Sequence, residues 1–486
     1  MSNAVKYPLV FEVNAHVWLR ELSHKTGSPV SLSTIPHSEI QKWADQNINA
    51  VWLMGVWTRS PKGKEVALHH DGLHFDYTKA LPGWTENDID ASPYSIVDYK
   101  VSPEFGGESA LARLRERLAE YNIKLILDFV PNHTALDHPW IASKPEYYVQ
   151  VSKEAYEKAP DLFFSPNENQ FLAYGRDPYF PPWTDTAQLN YANSDCRSAM
   201  LATLKEIASQ CDGVRCDMAM LMLKEIYNGI WGNLTGKMQE EFWELAIREI
   251  KSQYPNFLFI AEAYWDKEWE LQQLGFDFIY DKRFYDRLKS GDIQGLKTHL
   301  NADMAFQQKL VRFIENHDEE RAAVSLKNNH KVAAMVTLTS PGMRLVHQGQ
   351  QEGFKTKLPV QLANPKQEPQ NADIYGFYER LFRVMRQTPV TRGEFHLIDL
   401  KEHDNPDVIA FERRNGVKTR HFITVANFSD RPTTLSFNTD AFSNIFSYEH
   451  IEVVSTELLC SPQFDISPDS LTVRLRPHEG LLFVTH

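Results

Sequence analysis

The chain has 486 residues and a formal net charge of −13, from 51 Lys and Arg against 64 Asp and Glu. That balance excludes a basic nucleic-acid surface, and a hydrophobic share of 42% is ample for a large core. No apolar run reaches the roughly 18 residues of a membrane-spanning helix, so neither nucleic acid nor a membrane is an expected partner.

The first 18 residues, MSNAVKYPLVFEVNAHVW, lack the uninterrupted apolar stretch of a signal peptide, and the four cysteines show neither a disulfide framework nor a paired CxxC. Buried free thiols in a reducing cytoplasm fit this pattern. Residues 9–18 read as a first strand, 38–47 as a helix and 50–53 as a second strand. A segment dense in Trp, His, Asp and Pro then runs from 55 to 107 and reads as a long loop. A helix is predicted over 108–121, with Leu111, Leu114 and Leu118 on one stripe.

Lys124–Phe129 is apolar without alternation, as a parallel strand covered on both faces requires. The excursion at 134–193 is too long for an ordinary connection and predicts an inserted subdomain or lid. Helices over 196–209 and 237–253 flank the strand-like runs at 213 and 257; further runs follow at 276, 311 and 343, with helices up to about 302, over 332–339 and over 375–387.

Eight strand-like runs alternating with helices imply a parallel sheet closed into a (β/α)8 barrel over residues 1–390. An open doubly wound sheet is the alternative, but no Gly-rich phosphate loop follows the first run. From 391 to 486 the texture changes to short alternating strands separated by turn residues, which predicts a C-terminal antiparallel β-sandwich.

The chemistry gathers where these strands end. In DGVRCD (212–217) a short buried strand delivers Asp217, and period two puts Arg215 on the same face. A guanidinium there would hold Asp217 ionised and oriented, as a carboxylate nucleophile needs. The run at 124 ends in Asp128 and leads to Asn132 and His133; the run at 257 ends in Glu262, and that at 311 in His317 and Asp318. Barrel active sites lie at such ends. Carboxylates from three strands converging on one mouth repel one another, raising at least one pKa.

The segments DFVPNH, GVRCD, AEAYW and IENHD, in this order and spacing, resemble the four sequence regions of the α-amylase family of glycoside hydrolases. SPYSIVDYKVSPEFGG and PGMRLVHQGQQEG extend the resemblance along the chain. It implies that Asp217 is the nucleophile, Glu262 the general acid/base, and Asp318 the residue that holds the distorted sugar. Tyr94 resembles the aromatic platform of the cleaved sugar's subsite. His133, Arg215 and His317 match residues touching its hydroxyls or the nucleophile, while Asp128 and Asn132 match positions that order the site. One carboxylic acid protonates the leaving oxygen and a carboxylate opposite traps the oxocarbenium-like centre, which retains configuration when the two stand about 5–5.5 Å apart.

The implied substrate is an α-glucan or gluco-oligosaccharide, and no cofactor is expected. Calcium, which many family members bind, is not expected either. Met220 and Leu221 stand where many relatives carry Lys-His, one of them linked to calcium, although Asn132 remains. TAQLN (186–190) matches the relatives' QPDLN only at Leu189 and Asn190, and Pro93 replaces the usual Gly before Tyr94. Met220 and Leu221 would also make the leaving-group side apolar, and two aromatic-rich excursions would wall the mouth, so short substrates are expected over starch. The same glycosyl-enzyme could pass to a sugar or to phosphate, which keeps a transglycosylase or phosphorylase open. An inactive binding protein is the third reading.

Overall fold

Eight short runs hydrogen-bond edge to edge into a closed parallel barrel. They are β1 (Leu9–Asn14), β2 (Ala50–Met54), β3 (Lys124–Phe129), β4 (Gly213–Cys216), β5 (Leu258–Ala261), β6 (Phe278–Tyr280), β7 (Leu310–Arg312) and β8 (Met343–His347). The order around the barrel is that of the chain, with β1 closing on β8 as well as on β2. The structure, a computed structural model, describes residues 5–364, 367–386, 388–400, 405–414, 421–438, 451–458, 461–467 and 470–485.

Each strand is buried on both faces, and period two sorts its side chains. Val10, Trp52, Ile126, Ile260, Phe278 and Val311 share the cluster that fills the barrel. Leu125, Leu127, Phe259 and Ala261 instead join the outer core with helix residues such as Leu111 and Ile247. Two residues beyond Ile126 comes Asp128, and two beyond Ile260 comes Glu262. The inward rows thus deliver polar groups to one end of the barrel.

Several boundaries differ from the sequence reading. The first strand stops at Asn14, whose side chain accepts the Val17 N–H at 3.3 Å and caps a helix over Ala15–Thr26. The apolar His16-Val17-Trp18 continues the hydrophobic run and so hides this change of period. Residues 55–107 are no bare loop. Strands Trp57–Arg59 and Ile96–Val101 pair antiparallel, and helices Pro61–His69 and Asp71–Ala80 lie between them. Ser60 caps the first helix through the Gly63 N–H at 2.6 Å, with Pro61 in its first turn. The helix read over 237–253 begins at Phe242, and a separate helix, Lys224–Thr235, precedes it. Gly229 and Gly232 mask the latter in sequence, because glycine is a poor helix former.

The excursion at 134–193 builds a four-stranded sheet in the order His133–Ala135, Trp183–Gln188, Gln170–Gly175, Phe163–Asn167. The helix read over 375–387 spans Ala372–Met385; Gln387, Cys460 and His486 lie outside the described residues. Cys196, Cys211 and Cys216 are free and buried.

Toward the C-terminus a five-stranded antiparallel sheet faces a three-stranded one. Val408, Ala410, Ile423 and Val425 of the larger pack with Leu435 and Val473 of the smaller. The other face of the larger sheet, with Ile409, Phe411, Phe422 and Leu482, joins the outer core of the barrel. Glu394–Leu397, Ile451–Ser455 and Gln463–Ser467 are strands the sequence reading did not single out.

Candidate active site

Arg215 lies on the inward row of β4, is 1% exposed, and organises the mouth of the barrel. Its Nη1 stands 2.7 Å from Asp217 Oδ1 and 3.6 Å from Asp128 Oδ1, and its Nη2 stands 2.8 Å from Glu262 Oε2. The guanidinium is also 5.1 Å from the ring centroids of both Trp52 and Tyr94. One buried cation therefore bridges the two carboxylates expected to do the chemistry and fixes them relative to each other.

Backbone geometry finishes the placement. The Asp217 N–H donates to the Phe129 carbonyl at 2.9 Å, and the Glu262 N–H to the Cys216 carbonyl at 3.1 Å. Directly after Asp217, Met218 adopts a left-handed conformation (φ 42°, ψ 46°) and aims its N–H at Glu262 Oε2, 2.7 Å away. Tyr264 donates its hydroxyl to Glu262 Oε1 at 2.8 Å. Burial raises the Glu262 carboxyl against the pull of Arg215, and Asp217 and Asp318 add to the rise, so that it is pushed up to about 7. Burial, rather than the neighbouring charges to which the sequence points, is the larger cause of this rise.

A second chain of contacts runs along the mouth. His317 Nδ1 stands 2.5 Å from Glu12 Oε1, while its Nε2 stands 3.0 Å from Asp318 Oδ2 and 2.8 Å from the Tyr94 hydroxyl. Burial works against charge on His317, but Asp318 and Glu12 outweigh it and lift the imidazolium to about 10. Against partial desolvation, His317 in turn holds the Asp318 carboxyl well below the usual range. The Asp318 side chain is 43% exposed and open to a ligand, whereas Asp217 and Glu262 are buried.

Asp128 lies beneath this layer. Trp52 Nε1 donates to its Oδ1 at 3.1 Å and the Gly55 N–H to its Oδ2 at 3.2 Å. Gly55 has φ 78°, and a Cβ there would come within 2.8 Å of the Pro93 Cβ, so this turn requires glycine. Burial pushes Asp128 up to about 7, although Arg215 and His317 pull the other way. His133 is buried with its ring 5.2 Å from that of Trp183, and burial lowers its pKa.

The mouth thus brings Asp128, Arg215, Asp217 and Glu262 into one cluster, with Tyr94, His317 and Asp318 in a second joined to it by Tyr94 over Arg215. Asn132 stands behind His133, its Nδ2 3.3 Å from His133 Nδ1, and its other partners are on Gln188. Glu12, Trp52 and Tyr264 are not singled out by the sequence, and Gln188 figures there only as a departure from a pattern. Glu12 is within reach of a sequence reading, being two residues after the inward-facing Val10. Lys357, in the segment after β8, donates to the Asp318 carbonyl, a contact that sequence alone did not suggest.

Met220 and Leu221 are 0% and 1% exposed and belong to the outer core, so they do not line the leaving-group side as the sequence reading held. The left-handed turn at Met218 sends the following residues inward. A cavity of about 500 Å³ beside Tyr264 is lined instead by Phe180, Met218 and Trp265, among others. The surroundings of Asn132 also fail to fit calcium. Leu221 is buried among apolar side chains, and the Asn132 oxygens already accept from the Gln188 amide.

Residues 45–375 match the family described as alpha amylase, catalytic domain. The chain belongs to the α-amylase family. Alpha-amylase 3 of Dictyoglomus thermophilum is 25% identical over 288 residues, covering 55% of this chain and 54% of that protein. A cyclomaltodextrin glucanotransferase of Bacillus sp. (strain 38-2) is 24% identical over 398 residues, covering 78% of this chain and 52% of its own. The chain spans about half the length of these relatives. The crystal structure of an α-amylase from H. orenii superposes with a TM-score of 0.68 at 18% identity, covering 99% of this chain and 100% of that one. That likeness is one of fold. It agrees with the barrel and the C-terminal antiparallel sheet of this α-amylase-family chain.

Proposed function

We propose that this chain is a retaining glycosidase that cleaves α-glucosidic bonds in short gluco-oligosaccharides. The observation that carries the reading is the single buried guanidinium of Arg215 holding Asp217 and Glu262 side by side, with Glu262 raised to about 7. Asp217 attacks the anomeric carbon while the Glu262 carboxyl gives its proton to the departing oxygen. Water, deprotonated by Glu262, then releases the sugar from Asp217. Tyr94 offers its ring to the cleaved sugar, and Asp318, His133 and the His317 imidazolium face its hydroxyls. Asp128 and Asn132 order these groups from behind. The substrate is neutral, so the site needs no cofactor to neutralise it.

The preference for short substrates rests on three walls: the insert at 134–193, the excursion at 55–107 and the segment after β8 carrying Lys357. A second reading, transfer of the glycosyl group to a sugar, draws on the cavity beside Tyr264, where Phe180, Met218 and Trp265 offer a face to a sugar and charged side chains such as Asp266 and Arg283 offer partners to its hydroxyls. Incubation with starch, maltotriose, isomaltose, sucrose and trehalose, with and without phosphate, followed by product analysis, tests the reading. Hydrolysis of maltotriose with retention supports it. Products that form only with phosphate, or turnover confined to a non-glucosidic bond, would contradict it.

A further inference from the structure

Gln188 ends the returning strand of the insert, pairs across the ladder with His133, and is fully buried. Three carbonyl oxygens surround its side-chain Nε2: the Asn132 backbone oxygen at 2.9 Å, Asn132 Oδ1 at 3.0 Å and the Leu189 backbone oxygen at 3.2 Å. The amide is held this way round because Asn132 Nδ2 donates to Gln188 Oε1 at 3.2 Å. Turned over, it would set NH2 against NH2 and bring four oxygens together. The Leu189 N–H donates to the same Asn132 carbonyl at 3.1 Å, and the Val149 N–H to the Gln188 carbonyl at 3.0 Å. Three backbone segments therefore meet at this one residue: the exit from β3 and the return of the insert at its side chain, and the stretch around Val149 at its backbone carbonyl.

Carbonyl oxygens gathered in a buried place repel one another unless something positive sits among them. A hard cation is one solution, and calcium would require about six to eight oxygens, carboxylates prominent among them. No carboxylate is in this cluster. Among the described residues, the one grouping of three His, Cys, Asp or Glu close enough to share an ion is His16, Asp90 and Glu104, none of which belongs here. The NH2 of a carboxamide is the other solution, with two hydrogens shared among three acceptors and no charge to desolvate.

We propose that the Gln188 carboxamide takes the place of a metal ion, tying the insert to the barrel and holding Asn132 behind His133. It follows that a carboxylate at this position turns the same cluster into a calcium site. Gln188→Glu puts two carboxylate oxygens beside the three carbonyls, five in all, which about one to three waters complete to a calcium shell, while Asn132 Nδ2 keeps a partner. Gln188→Met keeps the length and removes the donor.

The test is thermal unfolding of the full chain and both variants, in EDTA and in millimolar CaCl2. Wild type is expected to show one Tm in both. Gln188→Met is expected to lose roughly 2–5 °C in both, since a buried group of acceptors loses its donor. Gln188→Glu is expected to be less stable than wild type in EDTA and to regain several degrees with calcium, or to fold only when calcium is present. A wild-type Tm that falls in EDTA and is restored by CaCl2 overturns the proposal. So does a Gln188→Met chain with wild-type Tm, or a folded Gln188→Glu chain blind to calcium. If Gln188→Glu folds under neither condition, the wild-type and Gln188→Met results decide between the same two outcomes.

Discussion

Arg215 does two things at once: it keeps two carboxylates a fixed distance apart and supplies the cation that Asp128, Asp217 and Glu262 share. Removing it leaves Asp128, Asp217 and Glu262 without their shared partner, so Arg215→Ala is expected to cost about 3–5 kcal/mol in chemical denaturation as well as activity. Asp217→Asn and Glu262→Gln remove charge without volume. Both are expected to fold, with kcat on maltotriose reduced by about three orders of magnitude or more. Normal turnover by either folded variant would sink the assignment.

Protonation supplies an independent prediction. Burial places the Glu262 carboxyl near 7, and the reaction needs its acid form in the free enzyme. kcat/KM is therefore expected to hold below about 7 and to fall tenfold per pH unit above it. The His317 imidazolium, raised to about 10 by Asp318 and Glu12, stays charged across that range and does not shape the limb. In Glu12→Gln the imidazolium loses one of its two carboxylate partners. Histidine NMR is expected to show His317 giving up its proton at a lower pH than in wild type.

At the scale of elements, the barrel was legible because a strand buried on both faces reads as an unbroken apolar run, and Lys124–Phe129 and Met343–His347 were bounded to the residue. Side chains at the ends of such runs have one place to go, and for that reason the positions of Asp128, Asp217 and Glu262 are legible in the sequence. What stayed hidden has physical causes. The helix Ala15–Thr26 continues an apolar run, and the cap at Asn14 is a single hydrogen bond that composition does not reveal. Met220 and Leu221 looked like wall residues because the left-handed turn at Met218, which buries them, belongs to backbone geometry rather than residue type. Gln188 looked like a departure from a pattern; only its three acceptors give it a role.

The walls themselves carry a prediction. If the insert, the excursion at 55–107 and the segment after β8 make a pocket, kcat/KM on maltotriose exceeds that on soluble starch. Rapid loss of starch viscosity before small sugars accumulate would mean an open cleft.

On the scale of the whole molecule, the larger C-terminal sheet shares its apolar face with the helices around the barrel. Phe411 is fully buried in that common core, and Thr339 and Thr424 hydrogen-bond across it at 2.9 Å. Phe411→Ala is expected to cost about 3–5 kcal/mol, read from denaturant unfolding, although Phe411 lies outside the catalytic cluster. Such a result would fit a sheet that stabilises the barrel rather than one that hangs from it.

In the proposed reaction Asp217 forms a bond to the sugar while Glu262 moves the proton. The direct test uses Glu262→Gln with α-glucosyl fluoride, whose fluoride leaves without an acid, followed by peptide mass spectrometry after rapid quenching. The missing base then slows release by water, so a glucosyl ester is predicted to accumulate on the peptide containing Asp217 and to be absent from Asp217→Asn. Release of product with no adduct at any time, or an adduct on a residue other than Asp217, would contradict the account.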